Sequence, residues 1–288
     1  MIWRWLLGIY LILAPISFLV RRTLGKTAPQ YNRFVNWFFF LGVLYPVGLL
    51  AAFVTRGSLH TTWHDLGLLA VCELVFPLIN IAAYRASKDI GAGLFTIINN
   101  LAPIITITTA SLWLHEGLNN REIVGAALVV VAAVAITVPS AVRSSRAEVA
   151  GFALAFVSVC LLGVGTTFER YMLTRMSFSA YLVYGWGAQA LWMTILAWPE
   201  RKHIKLLRRR ATFRGLVVVY SFTNALKGLC WVGALYLSGN ASMVSVFGGF
   251  TAVLVVMVAY FVLQERDYTT LKLASALAGI VGLAVLNF

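Results

Sequence analysis

Long runs without a single charge constrain this chain more than anything else in it. Residues 34–55, 90–114, 123–142, 149–168 and 176–199 hold no Asp, Glu, Lys or Arg, and a further run covers 228–264. Each is long enough to cross a hydrocarbon core of about 30 Å as a helix. In lipid, backbone polar groups must find partners within the spanning structure, so only helices and closed barrels cross. The period-two alternation of a barrel wall is missing here. With 60% hydrophobic and 11% charged residues over 288 positions, the chain has far more apolar surface than a soluble domain needs. It reads as an all-α integral membrane protein with ten transmembrane helices, at about 2–20, 34–54, 66–86, 90–114, 121–139, 149–169, 180–199, 215–236, 240–263 and 271–288. Ser238-Gly239-Asn240 supplies the turn that divides the longest run. The connections are short, and none has room for a soluble domain.

The two halves repeat one another. Leu114-His115-Glu116 is echoed 149 positions later by Leu263-Gln264-Glu265, and Arg21, Leu24 and Lys26 by Arg170, Leu173 and Arg175 at the same shift. This divides the chain into a first five-helix repeat at 1–139, a basic cytoplasmic linker at 140–148 and a second five-helix repeat at 149–288. An odd number of spans per half makes the second copy enter the membrane from the opposite side. The repeats are then inverted, about a pseudo-two-fold axis in the membrane plane.

A net charge of +13 could suggest nucleic acid, but location argues otherwise. Most of the Lys and Arg fall in the odd-numbered connections, above all between Arg201 and Arg214. That asymmetry puts the odd connections in the cytoplasm and both termini outside, in a multi-pass protein of the plasma or inner membrane. Cys72, Cys160 and Cys230 all fall inside spans and read as small packed hydrophobes. The basic Arg21-Arg22 pair follows the first apolar run instead of preceding it, so the N-terminus reads as a retained helix. Trp3, Trp5, Trp63, Trp113 and Trp198 fall near helix ends, where indoles anchor at the headgroup boundary.

Lys227 is the strongest local signal, an ammonium at the middle of a span. A charge at that depth costs roughly 3 kcal/mol or more, so it should face a cavity or a partner. Tyr220, Thr223, Asn224 and Trp231 share its helical face. Glu73 is the acid in the third span, with Pro77, Asn80 and Tyr84 following on one face. Inverted symmetry would set these two helices on opposite walls of one central space. Three readings stand side by side: a structural Glu73–Lys227 ion pair; a site in which Lys227 takes an anionic group and Glu73 a cationic one; and Glu73 as a proton carrier that couples transport to a gradient. In the fourth span, Thr96, Asn99, Asn100 and Pro103 match Ser245, Gly248, Gly249 and Ala252 of the ninth. Pro103 removes a backbone donor and clashes with the carbonyl of Asn99, which points to a broken or kinked helix beside two amides. Helix–helix hydrogen bonding explains the amides equally well. Tyr184 and Gln189 are weaker candidates. Glu116 and Glu265 stand next to turns and read as caps.

Enzyme motifs are nearly absent. His60-Thr61-Thr62-Trp63-His64-Asp65 offers a His-x4-Asp pattern and a His/His/Asp trio, yet reads as a solvated loop with no catalytic domain around it. No phosphate-binding Gly-rich loop of the nucleotide-hydrolase type occurs.

The stretch from Asn100-Leu101-Ala102-Pro103 through Leu114-His115-Glu116 to Gly125, with its echo from Gly249 to Leu263-Gln264-Glu265, resembles the drug/metabolite transporter superfamily, and within it the EamA-type ten-helix members. The Gly of the family's Leu-Gly-Glu is His115 in one copy and Gln264 in the other, and Ala252 stands where the second Pro would be. The resemblance implies a secondary transporter with a central cavity lined mainly by the third, fourth, eighth and ninth spans. It carries over no substrate residue.

The sequence therefore predicts alternating-access transport, in the export direction, of a small polar or zwitterionic metabolite, by exchange or proton coupling. The substrate-binding set is Glu73, Lys227, Asn80, Tyr84, Asn99, Asn100, Tyr220, Thr223, Asn224 and Trp231. No catalytic residue, metal or cofactor is expected. The partners are the small-molecule metabolite and membrane lipid, not nucleic acid, and a homodimer stays open. The alternatives are a flippase for a lipid-linked headgroup, which needs a lateral opening, and an acyltransferase-like membrane enzyme using His60, His64 and Asp65.

Overall fold

The computed structural model describes residues 2–90, 92–99, 101–115 and 146–262, with isolated positions between 124 and 131 and between 270 and 285. The spans expected at 121–139 and 271–288, and Asn100, Glu116 and Glu265, lie outside the described residues. Among those described, the regular structure is all helical. Six segments are long and apolar enough to cross a membrane: 2–27, 29–55, 63–90, 94–113, 148–175 and 211–238.

The first, α1, runs Ile2–Thr27. It passes straight through Arg21-Arg22, where the sequence reading ended it, because both guanidinium groups find partners against a neighbouring helix. Arg22 Nη1 donates to the carbonyls of Ser87, at 2.6 Å, and Lys88, while Arg21 Nη2 donates to Asn80 Oδ1 at 3.2 Å. The two arginines are thus packing residues of a buried helix face, not charges of a loop. The second segment starts as α2 (Asn32–Trp37), widens into a π-helical turn at Phe38–Leu44 and resumes as α3 (Tyr45–Thr55). Pro46, at the start of α3, has no N–H to offer the preceding turn. Such widened turns are frequent at functional sites.

The third segment is α4 (Trp63–Cys72) followed by α5 (Val75–Ile90). Thr62 caps α4, its hydroxyl accepting from the Asp65 N–H at 3.1 Å. The break falls at Glu73-Leu74, four residues before Pro77, whose ring excludes the carbonyl of Glu73 from the helix ladder. A continuous helix over 66–86 was expected, and the proline divides it. The fourth segment breaks in the same way, into α6 (Ala92–Asn99) and α7 (Ala102–Trp113), around Pro103 as predicted.

In the second half, α8 (Arg146–Arg175) and α9 (Phe178–Ala197) meet at Ser177, whose side chain accepts from the Ala180 N–H at 3.0 Å. A short α10 (Ile204–Arg209) precedes α11 (Ala211–Ser238). The helix α11 ends at Gly239, whose φ of +70° favours glycine, and Asn240 caps α12 (Ala241–Gly249) by accepting from the Met243 N–H at 2.8 Å. Past Phe250 the chain continues as α13 (Thr251–Val262). The division here needs no proline. Gly248 lies flat against Trp231, so close that an added Cβ would stand 2.7 Å from its ring.

Packing interleaves the two halves. The most extensive pairings are α1 with α11 and α5 with α8, followed by α3 with α9. The broken helices cross as well, α6 on α13 and α7 on α12. Gly163 lets α7 press on α8: an added Cβ there would meet Ile105 Cβ at 2.6 Å. The hydroxyls of Thr109 and Thr167 close that contact at 2.6 Å.

Candidate functional site

These crossings leave a central cavity of about 1220 Å³ of empty space, open mouth included. Its wall combines aromatic rings with polar groups spaced around it. The π-helical turn contributes Phe39, Phe40 and Leu44; α1 contributes Tyr10, Phe18 and Arg21; and the broken helices contribute Thr96, Asn99 and Gly248. Among the described residues, an arginine, a lysine and a carboxylic acid reach the space: Arg21, Lys227 and Glu169.

At the basic side, Lys227 Nζ lies 5.2 Å from the Phe18 ring and 3.4 Å from Ser17 Oγ. Arg21 sits against the same ring at 5.5 Å and against Tyr220 at 5.7 Å. Among the described residues, neither cation has a carboxylate oxygen within 4.0 Å. Asn224, one turn before Lys227, is buried, and its Nδ2 has no partner.

At the acidic side, two carboxyl groups share one phenol. The Tyr181 hydroxyl stands 2.9 Å from Glu73 Oε1 and 3.0 Å from Glu169 Oε1. Gln189 Nε2 donates to Glu73 Oε2 at 2.6 Å. A phenol has one proton and can donate it once. The second short oxygen–oxygen contact is attractive only if that carboxyl itself carries a proton and donates to the phenol oxygen. Glu73 already accepts from Gln189, which suits a carboxylate, so the proton falls to Glu169. All three groups are buried, so an unshielded pair of carboxylates here would be costly.

Residues 2–138 match the family model of the EamA-like transporter family. That segment of the chain belongs to the family, in the drug/metabolite transporter superfamily. A solved crystal structure of a protein 13% identical has a TM-score of 0.61 over 97% of this chain and 98% of its own. At that identity it shows the shared fold alone. Comparison with curated proteins gave no match. This EamA-like chain is therefore a multi-pass membrane protein of a transporter family, consistent with a role other than catalysis.

The EamA-like cavity sorts the expected residues. Lys227, Asn80, Asn99, Asn224 and Trp231 line it. Glu73 does not; it is fully buried one layer behind, screened by Gln189, and makes no direct ion pair with Lys227. Tyr84 and Tyr220 are also behind the wall, where their hydroxyls donate to the Ala28 carbonyl and to Asn36 Oδ1, each at 3.2 Å. They hold the start of α2 and do not reach the space. Thr223 points its hydroxyl back to the Val219 carbonyl at 2.7 Å. Of the weaker candidates, Gln189 lines the cavity and Tyr184 does not.

Arg21, Glu169 and Tyr181 were missed. A signal existed for the first two: Ala14, Phe18, Arg21 and Gly25 form one buried stripe on α1, and Ser158, Leu162, Thr166 and Glu169 one stripe on α8. As for the His-x4-Asp loop, Asp65 is taken by Arg175, whose Nε donates at 2.6 Å, and by the Thr62 hydroxyl at 2.7 Å. His60 is exposed and His64 Nδ1 stands 3.7 Å from Asp65. Asp65 thus ties α4 to the end of α8 and is occupied by that contact.

Proposed function

We propose that the protein is a secondary active transporter that exports a small polar or zwitterionic metabolite by alternating access, with coupling to protons. The observation that carries this reading is the cavity itself. It holds two cations and an acid within a bundle of apolar spans, where such groups ordinarily mark a pathway or a ligand site when they do not pair with one another. The cationic end of a zwitterion would meet the Trp231 ring and Glu169 once that acid has released its proton, and the anionic end would meet Lys227.

Ten spans in two inverted repeats, 1–139 and 149–288 joined by the 140–148 linker, are part of the proposal. The breaks in the helices support it: α7 and α13 begin 149 positions apart, at Ala102 and Thr251. The pairings support it too. Exchanging the two halves turns α1 on α11 into α8 on α5, and α6 on α13 into α12 on α7. Inverted repeats with discontinuous helices at mid-depth are the common design of alternating access. Placement in the plasma or inner membrane with both termini outside rests on the charge bias of the connections.

Proton coupling is supported by the Glu73–Tyr181–Glu169 chain, which holds one proton beside the cavity and whose outer member reaches it. The test is flux in proteoliposomes with an imposed pH gradient. The parent should respond to the gradient, and Glu169→Gln should transport without responding to it. Gradient-driven flux that persists in Glu169→Gln would remove the coupling reading. Absence of any solute flux in the folded parent would remove the transport reading.

A further inference from the structure

Three hydrogen-bond donors stand at the basic side of the cavity with too few acceptors. Arg21 is 6% exposed, and its Nε is buried without a partner. Asn224 is 4% exposed, and its Nδ2 is likewise unpartnered. Lys227 has three N–H bonds to give and one long contact, to Ser17 Oγ. Both cations rest on the Phe18 ring, and Asn224 lies one helical turn from Lys227 on the face that lines the cavity. With Arg21 at 5.5 Å and Lys227 at 5.2 Å from the centre of one ring, the two cations repel one another across an apolar interior. Buried donors in native proteins are nearly always satisfied, and a buried charge without a counter-charge is strongly unfavourable.

Resting on the transport reading above, we infer that Arg21, Asn224 and Lys227 form a subsite for an oxoanion group of the cargo, a carboxylate or a phosphate. A carboxylate or phosphate supplies in one group the several lone pairs that these donors lack. The planar guanidinium presents Nε alongside an Nη in the geometry that such groups accept. Arg21 Nη2 is already held by Asn80, which fixes the plane of the fork before any ligand arrives. The site is therefore preorganised, and the anion neutralises the like-charge repulsion that the empty cavity retains. Glu169, the one acidic residue lining the same space among the described residues, is engaged by Tyr181 and leaves the two cations uncompensated.

The experiment is thermal unfolding of the purified full chain in detergent with five probes: glutarate, its neutral isostere glutaramide, glycerol 3-phosphate, glycerol and choline. Glutarate or glycerol 3-phosphate should raise the melting temperature, and the neutral members should not. A rise with only one of the two anions assigns the subsite to carboxylate or to phosphate. Lys227→Met and Asn224→Leu should each weaken the effect about tenfold or more, the scale of one charge-assisted hydrogen bond. Without probe, Lys227→Met should melt no lower than the parent, since it removes a repelled, unneutralised cation; a purely structural lysine would lower it. Equal rises with the neutral isosteres, a rise with choline alone, an unchanged rise in both variants, or no rise with any probe overturns the proposal. Flux of choline or glycerol without oxoanion binding keeps the transport reading and discards this subsite. Oxoanion binding without any flux does the reverse.

Discussion

Replacing Tyr181 by Phe tests the shared-proton arrangement most directly. The ring stays, so packing against α4 and α8 is kept and only one oxygen leaves. That oxygen makes two contacts of about hydrogen-bond length, at 2.9 Å to Glu73 and 3.0 Å to Glu169. A hydrogen bond to a charged group is worth about 1.5–3 kcal/mol and one between neutral groups about 1 kcal/mol, so the change should cost about 3 kcal/mol in all. Glu169→Gln should behave differently. The amide reproduces the protonated acid: its NH2 donates to the Tyr181 oxygen where the acid proton did. Its cost should stay below about 1 kcal/mol, the range of a conserved hydrogen-bond pattern. In Glu169→Leu, by contrast, the phenol oxygen loses that partner, and stability should drop by about 1–3 kcal/mol, the cost of a buried polar group left unsatisfied. Equilibrium unfolding in mixed micelles with increasing dodecyl sulfate would read all three. If Glu169→Gln costs as much as Tyr181→Phe, Glu169 is not the protonated member and the hydrogen-bond count is wrong. If Tyr181→Phe costs nothing, the phenol does not bridge the acids at all.

Gly163→Ala should destabilise the bundle by about 1–3 kcal/mol, because its Cβ would overlap Ile105. Gly8→Ala meets nothing within 4 Å and should be neutral or stabilising by about 0.5–1 kcal/mol, so the pair separates crowding from helix propensity in one melting assay. Thr62→Ala should cost about 1 kcal/mol through the lost cap of α4. Asp65→Asn should lower the melting temperature at low salt, with a smaller loss at high salt, since Arg175 is partly solvated and its attraction is screened.

What the sequence made legible follows from how a bilayer filters residues. Lys227 stood out because it interrupts a long apolar run, and it does line the cavity. The break at Pro103 was legible because a missing N–H has a fixed consequence four residues earlier. Glu73 was legible as a buried acid, but not its surroundings: Tyr181 and Gln189 come from α9, more than a hundred positions away, and no local pattern announces them. Arg21 and Glu169 stayed hidden for a different reason. Each stands beside another charged residue, Arg22 and Arg170, at the end of an apolar run, where charge ordinarily marks water. Yet α1 and α8 run on to Thr27 and Arg175. At 1.5 Å per residue, such helices are about 40 Å long and exceed the hydrocarbon core. Their charged last turns therefore pack against other helices, and the apolar run underestimates the helix.

The same two positions explain how a nearly symmetric scaffold acquires a polarised cavity. Under the proposed repeat, Arg170 is the counterpart of Arg21, and Glu169 is the counterpart of Val20. Perfect symmetry would give the cavity two equal basic walls. The second copy instead has Glu169 on the cavity, while the Nη2 of Arg170 lies close enough to Gly239 that an added Cβ there would touch it at 3.5 Å. One position along α8 is a rotation of about 100°, enough to exchange a cation for an acid on the facing wall. The basic wall was kept by α1 and reinforced from α11 by Lys227, and the acidic wall was built by α8 and stabilised from α9 by Tyr181. A dipolar cargo would then have one preferred orientation along the cavity. Glu169→Val, which restores the apolar residue found at Val20, should remove that preference: binding of an oxoanion without a cationic group should persist, and any advantage of a zwitterion over that anion should vanish. Retention of the zwitterion's advantage in Glu169→Val would show that the acidic wall lies elsewhere.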